Sequence, residues 1–237
     1  MTQPVNTNWQ NYWKDLPHES GLAVWDTDGD GTAIAQLPLF RSAFGDQRPV
    51  LDIGCGNGTQ TAALAAHFDT VIGLDFAPAA IEHAKELQAG KVADFRQFDL
   101  ADTEAATALH EELGDVNVYM RGVLHQMPDE RRADAARSLA TLLGATGRLF
   151  AVELSPAAGQ TIKTAMAGDE TALPKMQQVF RHGLTPAAWS EGKLEALLDG
   201  AGLAVSDSGP FPLKSTDALP DGTQLELPMT YVVAGAA

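Results

Sequence analysis

The chain has 237 residues, with 31 acidic against 16 basic side chains and a formal net charge of −15. Its single cysteine, Cys55, excludes an internal disulfide and a cysteine-based zinc site. No apolar run reaches the roughly 18–20 residues of a membrane span, and the acidic surplus is the opposite of what a phosphate backbone selects. Hydrophobic residues make up 45% and charged residues 20%, a balance that fills one globular domain over 1–237. No basic segment followed by an apolar one opens the chain. The expectation is a soluble, cytoplasmic protein, monomer or homodimer, that acts on a small molecule without nucleic acid or membrane as partner. The Ala-rich, acidic composition suggests a bacterial source.

Residues 1–45 read as an N-terminal cap: an irregular start, then an amphipathic helix over Thr32–Phe44, where Ile34, Leu37, Phe40, Ala43 and Phe44 recur near helical spacing. Pro49–Gly54 is a short apolar run ending in glycine, a buried strand. Thr59–Phe68 is a helix and Thr70–Leu74 a second strand. Pro78 opens a helix that runs through Ala79–Gln88 and stops at Gly90. Val92–Phe98 is the third strand, Thr103–Leu113 the next helix, closed by Gly114. Val116–Arg121, Asp129–Leu143 and Gly147–Glu153 add strand, helix and strand. Five strands alternating with helices of about ten residues imply βαβ units, a mostly parallel α/β sheet and helices on both faces. The rhythm breaks over 155–189, a partly helical insertion above the sheet's C-terminal edge on the substrate side. Over 190–237, Glu191–Leu198 is a helix, and Leu203–Phe211 and Met229–Ala234 are strands able to pair antiparallel across a long connection. The core that binds a cofactor is thus 46–154.

The segment Val50-Leu51-Asp52-Ile53-Gly54-Cys55-Gly56-Asn57-Gly58 joins a strand to a helix, and its glycines permit a tight turn and close approach to a ligand. Thr59 stands where a dinucleotide fingerprint would place glycine or alanine. Asp52, two residues before the first glycine, repels a pyrophosphate and attracts an ammonium or sulfonium. Asp75 ends the second strand 17 positions after Gly58, where a carboxylate accepts both hydroxyls of a ribose. Phe76 can pack on an adenine face, and Asp99, at the end of the third strand, can accept from its amino group. Each motif alone is open to a plainer reading, as a simple turn or a helix N-cap.

Together these motifs resemble the class I S-adenosylmethionine-dependent methyltransferases. The likeness runs through DIGCGNG, GLDFAP, QFDL, Asp115–Met127 and LLGATGRLFAVEL, and covers about 48–155. It implies a Rossmann-like, doubly wound sheet of seven strands in the order 3-2-1-4-5-7-6 with strand 7 antiparallel. It implies S-adenosylmethionine as cofactor, S-adenosylhomocysteine as product, and no metal. Asp52, Gly54, Cys55 and Gly56 would lie along the methionine part, Asp75 on the ribose, Phe76 on the adenine, and Asp99 with Leu100 at the adenine edge. The backbone at Arg121 would meet the ligand's amino group.

The activity expected is methyl transfer to a small metabolite, of the kind found in secondary metabolism. Oxygen is the first acceptor considered, with nitrogen, sulfur and carbon left open. Two rivals keep the cofactor: a rearrangement or cyclisation on the same scaffold, and a non-catalytic binding partner of another enzyme. A nicotinamide-dependent oxidoreductase is a third. His125, in the loop after the fourth strand, is the candidate base, or else a loop-holding histidine. Arg121 can pair with Asp99 or Asp52, or hold an anionic substrate. Tyr12, Trp13 and Trp25 form either an aromatic lid over substrate or a staple for the N-terminal helix, and Met166 and Phe180 either line a substrate pocket or fill core. Asp26-Thr27-Asp28-Gly29-Asp30-Gly31 copies half of a calcium loop, but its twelfth position is Leu37 rather than glutamate. A solvated turn with Asp30 or Thr32 as N-cap accounts for it. His18, His67, His83, His110 and His182 show no metal-binding spacing.

Overall fold

A computed structural model describes residues 5–27, 33–45, 47–91, 94–167, 171–185 and 190–237. Seven strands, β1 (Val50–Ile53), β2 (Val71–Asp75), β3 (Phe95–Gln97), β4 (Asn117–Arg121), β5 (Arg148–Leu154), β6 (Leu203–Ala218) and β7 (Gln224–Ala236), build one sheet. Its order is β3-β2-β1-β4-β5-β7-β6. The first five strands pair in parallel, and β7 runs antiparallel to both β5 and β6. The parallel part is what the strand–helix rhythm predicts, and the strand order with an antiparallel β7 is the one the family resemblance implies.

The helices are α1 (Val5–Asp15), α2 (Ala33–Phe44), α3 (Thr59–Ala65), α4 (Pro78–Leu87), α5 (Thr103–Leu113), α6 (Asp129–Leu143), α7 (Ala158–Ala165), α8 (Pro174–Arg181) and α9 (Lys193–Asp199). None of the described helices is long and apolar enough to cross a membrane. Because successive strand side chains point to opposite faces, the sheet feeds two cores. Val50, Tyr119 and Phe150 join Phe40, Phe44 and Leu64 of α2 and α3 on one face. Leu51, Val118 and Leu149 join Leu109, Leu139, Leu142 and Leu198 of α5, α6 and α9 on the other. Strands covered on both faces read as near-continuous apolar runs; all four residues of β1 are buried, and Asp52 alone among them is charged.

Three boundaries differ from the sequence-based expectation. The first helix starts in the polar N-terminal stretch, because Trp9, Tyr12, Trp13 and Leu16 lie at i, i+3, i+4 and i+7 and make one stripe. β3 is only three residues long, and the earlier part of the predicted strand, Val92 and Ala93, lies outside the described residues. The last two strands are 16 and 13 residues long and meet through a short turn, not a long connection. Alternation does continue along β6, but its inward positions include Ser215 and Asp217, so hydropathy alone hides the strand. The predicted N-caps Asp30 and Thr32, the half calcium loop beyond Thr27, and Pro186 and Trp189 of the insertion also lie outside the described residues.

The hairpin runs past the last β5 pair, Leu154↔Met229, to Ala218↔Gln224, and so rises above the sheet edge. The insertion contributes α7 and α8 beside it. Asp217 accepts the backbone N–H groups of Lys175 and Met176 at the start of α8, at 3.2 and 2.8 Å. Thr216 pairs with Val24 and Ala23 of the N-terminal segment.

Gly73 of β2 sets the approach of β3 to the acidic strand ends. A Cβ there would fall 2.4 Å from the Phe95 ring and 3.1 Å from Oγ1 of Thr61, the hydroxyl that donates to Asp52. Gly73→Ala is therefore expected to overpack this junction and to lower the unfolding free energy by about 1–3 kcal/mol, read from urea denaturation at constant slope.

Candidate active site

A cavity of about 190 Å³ lies over the C-terminal ends of β1, β2 and β4. This is where open α/β sheets bind ligands. The glycine loop forms one wall. Gly54, Gly56 and Gly58 all have φ between 55° and 78°, a region costly for residues with a Cβ. The turn aims Gly56 N–H at Asp75 Oδ2, 3.1 Å away. Ala77 N–H meets Asp75 Oδ1 at 2.9 Å. Each carboxylate oxygen keeps capacity for a further donor, which is what a pair of ribose hydroxyls requires.

Asp52 and Asp75 are both buried. Burial pushes each carboxyl up to about 6. For Asp52, the Thr61 hydroxyl at 2.6 Å and the Arg121 charge work against that rise, while Asp75 adds to it. The two acids thus sit close together at the base of the cavity, electrostatically short of cation. Cys55 lies between them in the loop. Burial, reinforced by Asp75 and Asp52, pushes its thiol well above the ordinary range, so it is a packed side chain without thiolate character.

Phe76, Asp99 and Leu100 line the same cavity. Asp99 is half-buried and accepts Ala101 N–H at 3.0 Å and Arg131 Nη2 at 2.9 Å. Its ion-pair partner is therefore Arg131 and not Arg121, because α6 brings Arg131 across the β4 loop. Arg121 instead donates Nη2 to the Trp25 carbonyl at 2.9 Å, and its charge acts on Asp52.

The loop after β4 folds around Glu153 at the end of β5. That buried carboxylate accepts the backbone N–H groups of Val123, Leu124 and His125 at 3.1, 2.9 and 3.1 Å. It also takes the His125 ring at Nδ1, 2.5 Å away. The ring's other nitrogen, Nε2, meets the Gln126 amide at 3.0 Å; in the tautomer that carries its proton on Nδ1, Nε2 is an acceptor. His125 is 4% exposed and lines the cavity.

The N-terminal cap closes the cavity from above. Trp13 lies on the glycine loop, since a Cβ on Gly56 would meet its ring at 2.7 Å. Trp13, Trp25 and Phe180 line the cavity. Tyr12 and Met166 do not. Tyr12 is fully buried among Trp9, Trp13, Trp25 and His182, with ring centroids 5.4–5.7 Å away. Met166 caps the end of α7 and packs against the core.

Sequence reasoning passed over several lining residues. Asp26, set aside as part of a calcium-like turn, is buried and accepts Asn57 Nδ2 at 2.7 Å and Gly21 N–H at 2.5 Å. It ties the cap to the glycine loop. Gln60 accepts Ala33 N–H at 2.6 Å, which turns its buried, unpartnered Nε2 the other way. Glu153 had a legible signal, a lone charge in the otherwise apolar run Leu149–Leu154. Among the described residues, no group of three or more His, Cys, Asp or Glu side chains is placed to hold a metal ion.

Comparison with known proteins agrees with this geometry. The family described as a methyltransferase domain matches residues 50–147. A ubiquinone biosynthesis O-methyltransferase of Histophilus somni is 34% identical over 138 residues, 53% of this chain and 56% of that one. Another, of Actinobacillus pleuropneumoniae, is 31% identical over 181 residues, 69% of this chain and 74% of that one. A crystal structure of a SAM-dependent methyltransferase from Anabaena variabilis superposes with a TM-score of 0.90 at 28% identity, covering 99% of this chain and 96% of that one. With the acid-ended strands, the glycine loop and these likenesses in agreement, the chain belongs to the S-adenosylmethionine-dependent methyltransferase family.

Proposed function

We propose that the protein transfers a methyl group from S-adenosylmethionine to an oxygen of a small molecule, with His125 taking the acceptor's proton. The observation that carries this reading is the His125–Glu153 pair, whose imidazole lies in the wall of the same cavity as the acidic strand ends, with the buried Glu153 bonded to its Nδ1. The O-methyltransferase names of the relatives support the same acceptor atom.

The residues present suit the cofactor. Asp75 would hold the ribose hydroxyls, Phe76 the adenine face, and Asp99 with Leu100 the adenine edge. Asp52, Gly54, Gly56 and the backbone at Arg121 would surround the methionine part. Two buried carboxylates held near 6 by desolvation are stabilised in their ionised forms by an adjacent cation. When bound, S-adenosylmethionine supplies a methyl group already activated on a positively charged sulfur. The chain's task is then alignment, exclusion of water and removal of one proton. His125 Nε2 would accept that proton from the attacking hydroxyl, and Gln126 would release the ring nitrogen to the acceptor. Glu153 holds the ring's other N–H and so fixes the tautomer. Its three backbone donors keep the carboxylate in place while the imidazole becomes charged.

Two outcomes follow. His125→Asn is expected to lower kcat by about 10²–10⁴-fold while the Kd for S-adenosylmethionine stays unchanged. A parallel loss of cofactor affinity, followed by calorimetry, would reassign His125 to holding the loop.

The second outcome concerns pH. The folded-state values of Asp52 and Asp75, about 6 against 3.8, mean that their contribution favours the folded, ligand-free protein below the unfolded value. It is lost as pH rises through about 6. A bound cation reverses this preference. Cofactor affinity should therefore strengthen from about pH 5 to about pH 7, with protons released on binding. Calorimetry in two buffers of different ionisation enthalpy measures that release, and a zero difference near pH 6 would exclude the coupling.

A further inference from the structure

The cavity does not end at the cofactor-holding wall. Besides the acidic strand ends and the glycine loop, its lining takes in side chains of α8 and of the β6–β7 hairpin. It continues into a compartment between α8 and the raised part of the β6–β7 hairpin. Met176, Val179 and Phe180 come from α8, and Leu213, Leu227 and Met229 from the hairpin. Ser215 adds a polar side chain there, but its hydroxyl is engaged with the Asp217 backbone at 3.1 and 3.2 Å.

Charge in the cavity wall is distributed unevenly. Asp26, Asp52, Asp75 and Asp99 line it, against Arg121 and Arg131 among the described residues. Both arginines are engaged. Arg131 pairs with Asp99 at 2.9 Å, and Arg121 serves the Trp25 carbonyl and faces the Asp52 charge. An acceptor carboxylate would have to strip one of them from its partner, next to four aspartates. Asp52 is buried, so drawing the Arg121 charge away from it is costly, whereas Arg131 and Asp99 are about one-third exposed and their pair is worth less.

We infer that the acceptor is an uncharged molecule with an extended apolar body, seated between α8 and the hairpin with its reacting atom toward His125. This inference rests on the methyl-transfer reading and narrows its substrate class. It also sets aside the anionic substrate that Arg121 suggested in the sequence.

The test separates binding from turnover. Protein saturated with S-adenosylhomocysteine is titrated with 4-alkylphenols from propyl to heptyl and with 4-hydroxybenzoate, following tryptophan fluorescence from Trp9 and Trp25, which line the cavity. Affinity should rise roughly three- to fourfold for each buried methylene, and 4-hydroxybenzoate should bind more weakly than every alkylphenol. Phe180 is only half-buried, so Phe180→Lys can be made with little risk to folding. It should flatten the chain-length series and improve 4-hydroxybenzoate. Tighter binding of 4-hydroxybenzoate by the unsubstituted protein, a flat chain-length response, or no binding of any probe would overturn the inference. Methyl transfer is assayed on the same compounds with S-adenosylmethionine. Chain-dependent binding without methylation would sustain the apolar compartment and reject the oxygen-acceptor reading.

Discussion

Asp52 and Asp75 are buried together at neighbouring strand ends, and the surrounding structure follows from that one electrostatic constraint. A charge removed from water costs several kcal/mol unless it is paired and hydrogen-bonded. Here the local compensation is partial: the Thr61 hydroxyl for Asp52, two backbone N–H groups for Asp75, and the more distant Arg121 charge. The glycine loop must turn through left-handed conformations to deliver the Gly56 N–H. Gly73 must lack a side chain so that Phe95 can pack without displacing Thr61. What compensation the protein leaves undone is the part a sulfonium ligand can supply. Buried groups perturbed in this way cluster at functional sites.

The same device recurs around the cavity, where carboxylates hold the backbone in place. Glu153 accepts three backbone N–H groups and an imidazole to shape the loop after β4. Asp217 accepts two at the start of α8, and Asp26 takes Gly21 N–H together with the Asn57 amide. Each is a carboxylate that gathers donors from a different segment, and charge-assisted bonds of this kind are about twice as strong as neutral ones. Part of the acidic surplus, which in composition reads only as an argument against nucleic acid, is thus spent inside the molecule fastening loops to strands.

Local signals carried the sheet and the acidic edge of the cavity. The βαβ rhythm, the loop glycines and the three acidic strand ends are each set by a few neighbouring residues, and their order along the chain fixes their order along the sheet edge. Partners across the fold were not legible in the same way. Asp99 finds Arg131, 32 residues away, because α6 crosses the β4 loop, and nothing near Arg121 announces that its guanidinium will reach the Trp25 carbonyl. Tyr12 and Trp13 are adjacent in one aromatic stripe, yet about 100° of helical rotation separates them. Trp13 meets the glycine loop while Tyr12 turns into the cap. The raised end of the hairpin escaped notice because its buried side carries Ser215 and Asp217, so the alternation is in burial and not in hydropathy.

That division bears on how the acceptor can be identified. The segment matched by the methyltransferase-domain family, residues 50–147, ends before α7, while Met176, Val179, Phe180, Leu213, Leu227 and Met229 all lie beyond it. The compartment is assembled from pieces distant in sequence. Lys175 Nζ donates to the Gly21 carbonyl at 2.6 Å, and Thr216 pairs with Val24 and Ala23. No single piece would hold this shape alone. A sheet fixed by its buried acids can therefore keep one cofactor while the hairpin, α8 and the cap are exchanged for others. Family membership speaks for the donor of the methyl group. The chemistry of the acceptor has to be read from the apolar side chains and from arginines whose charge is already taken.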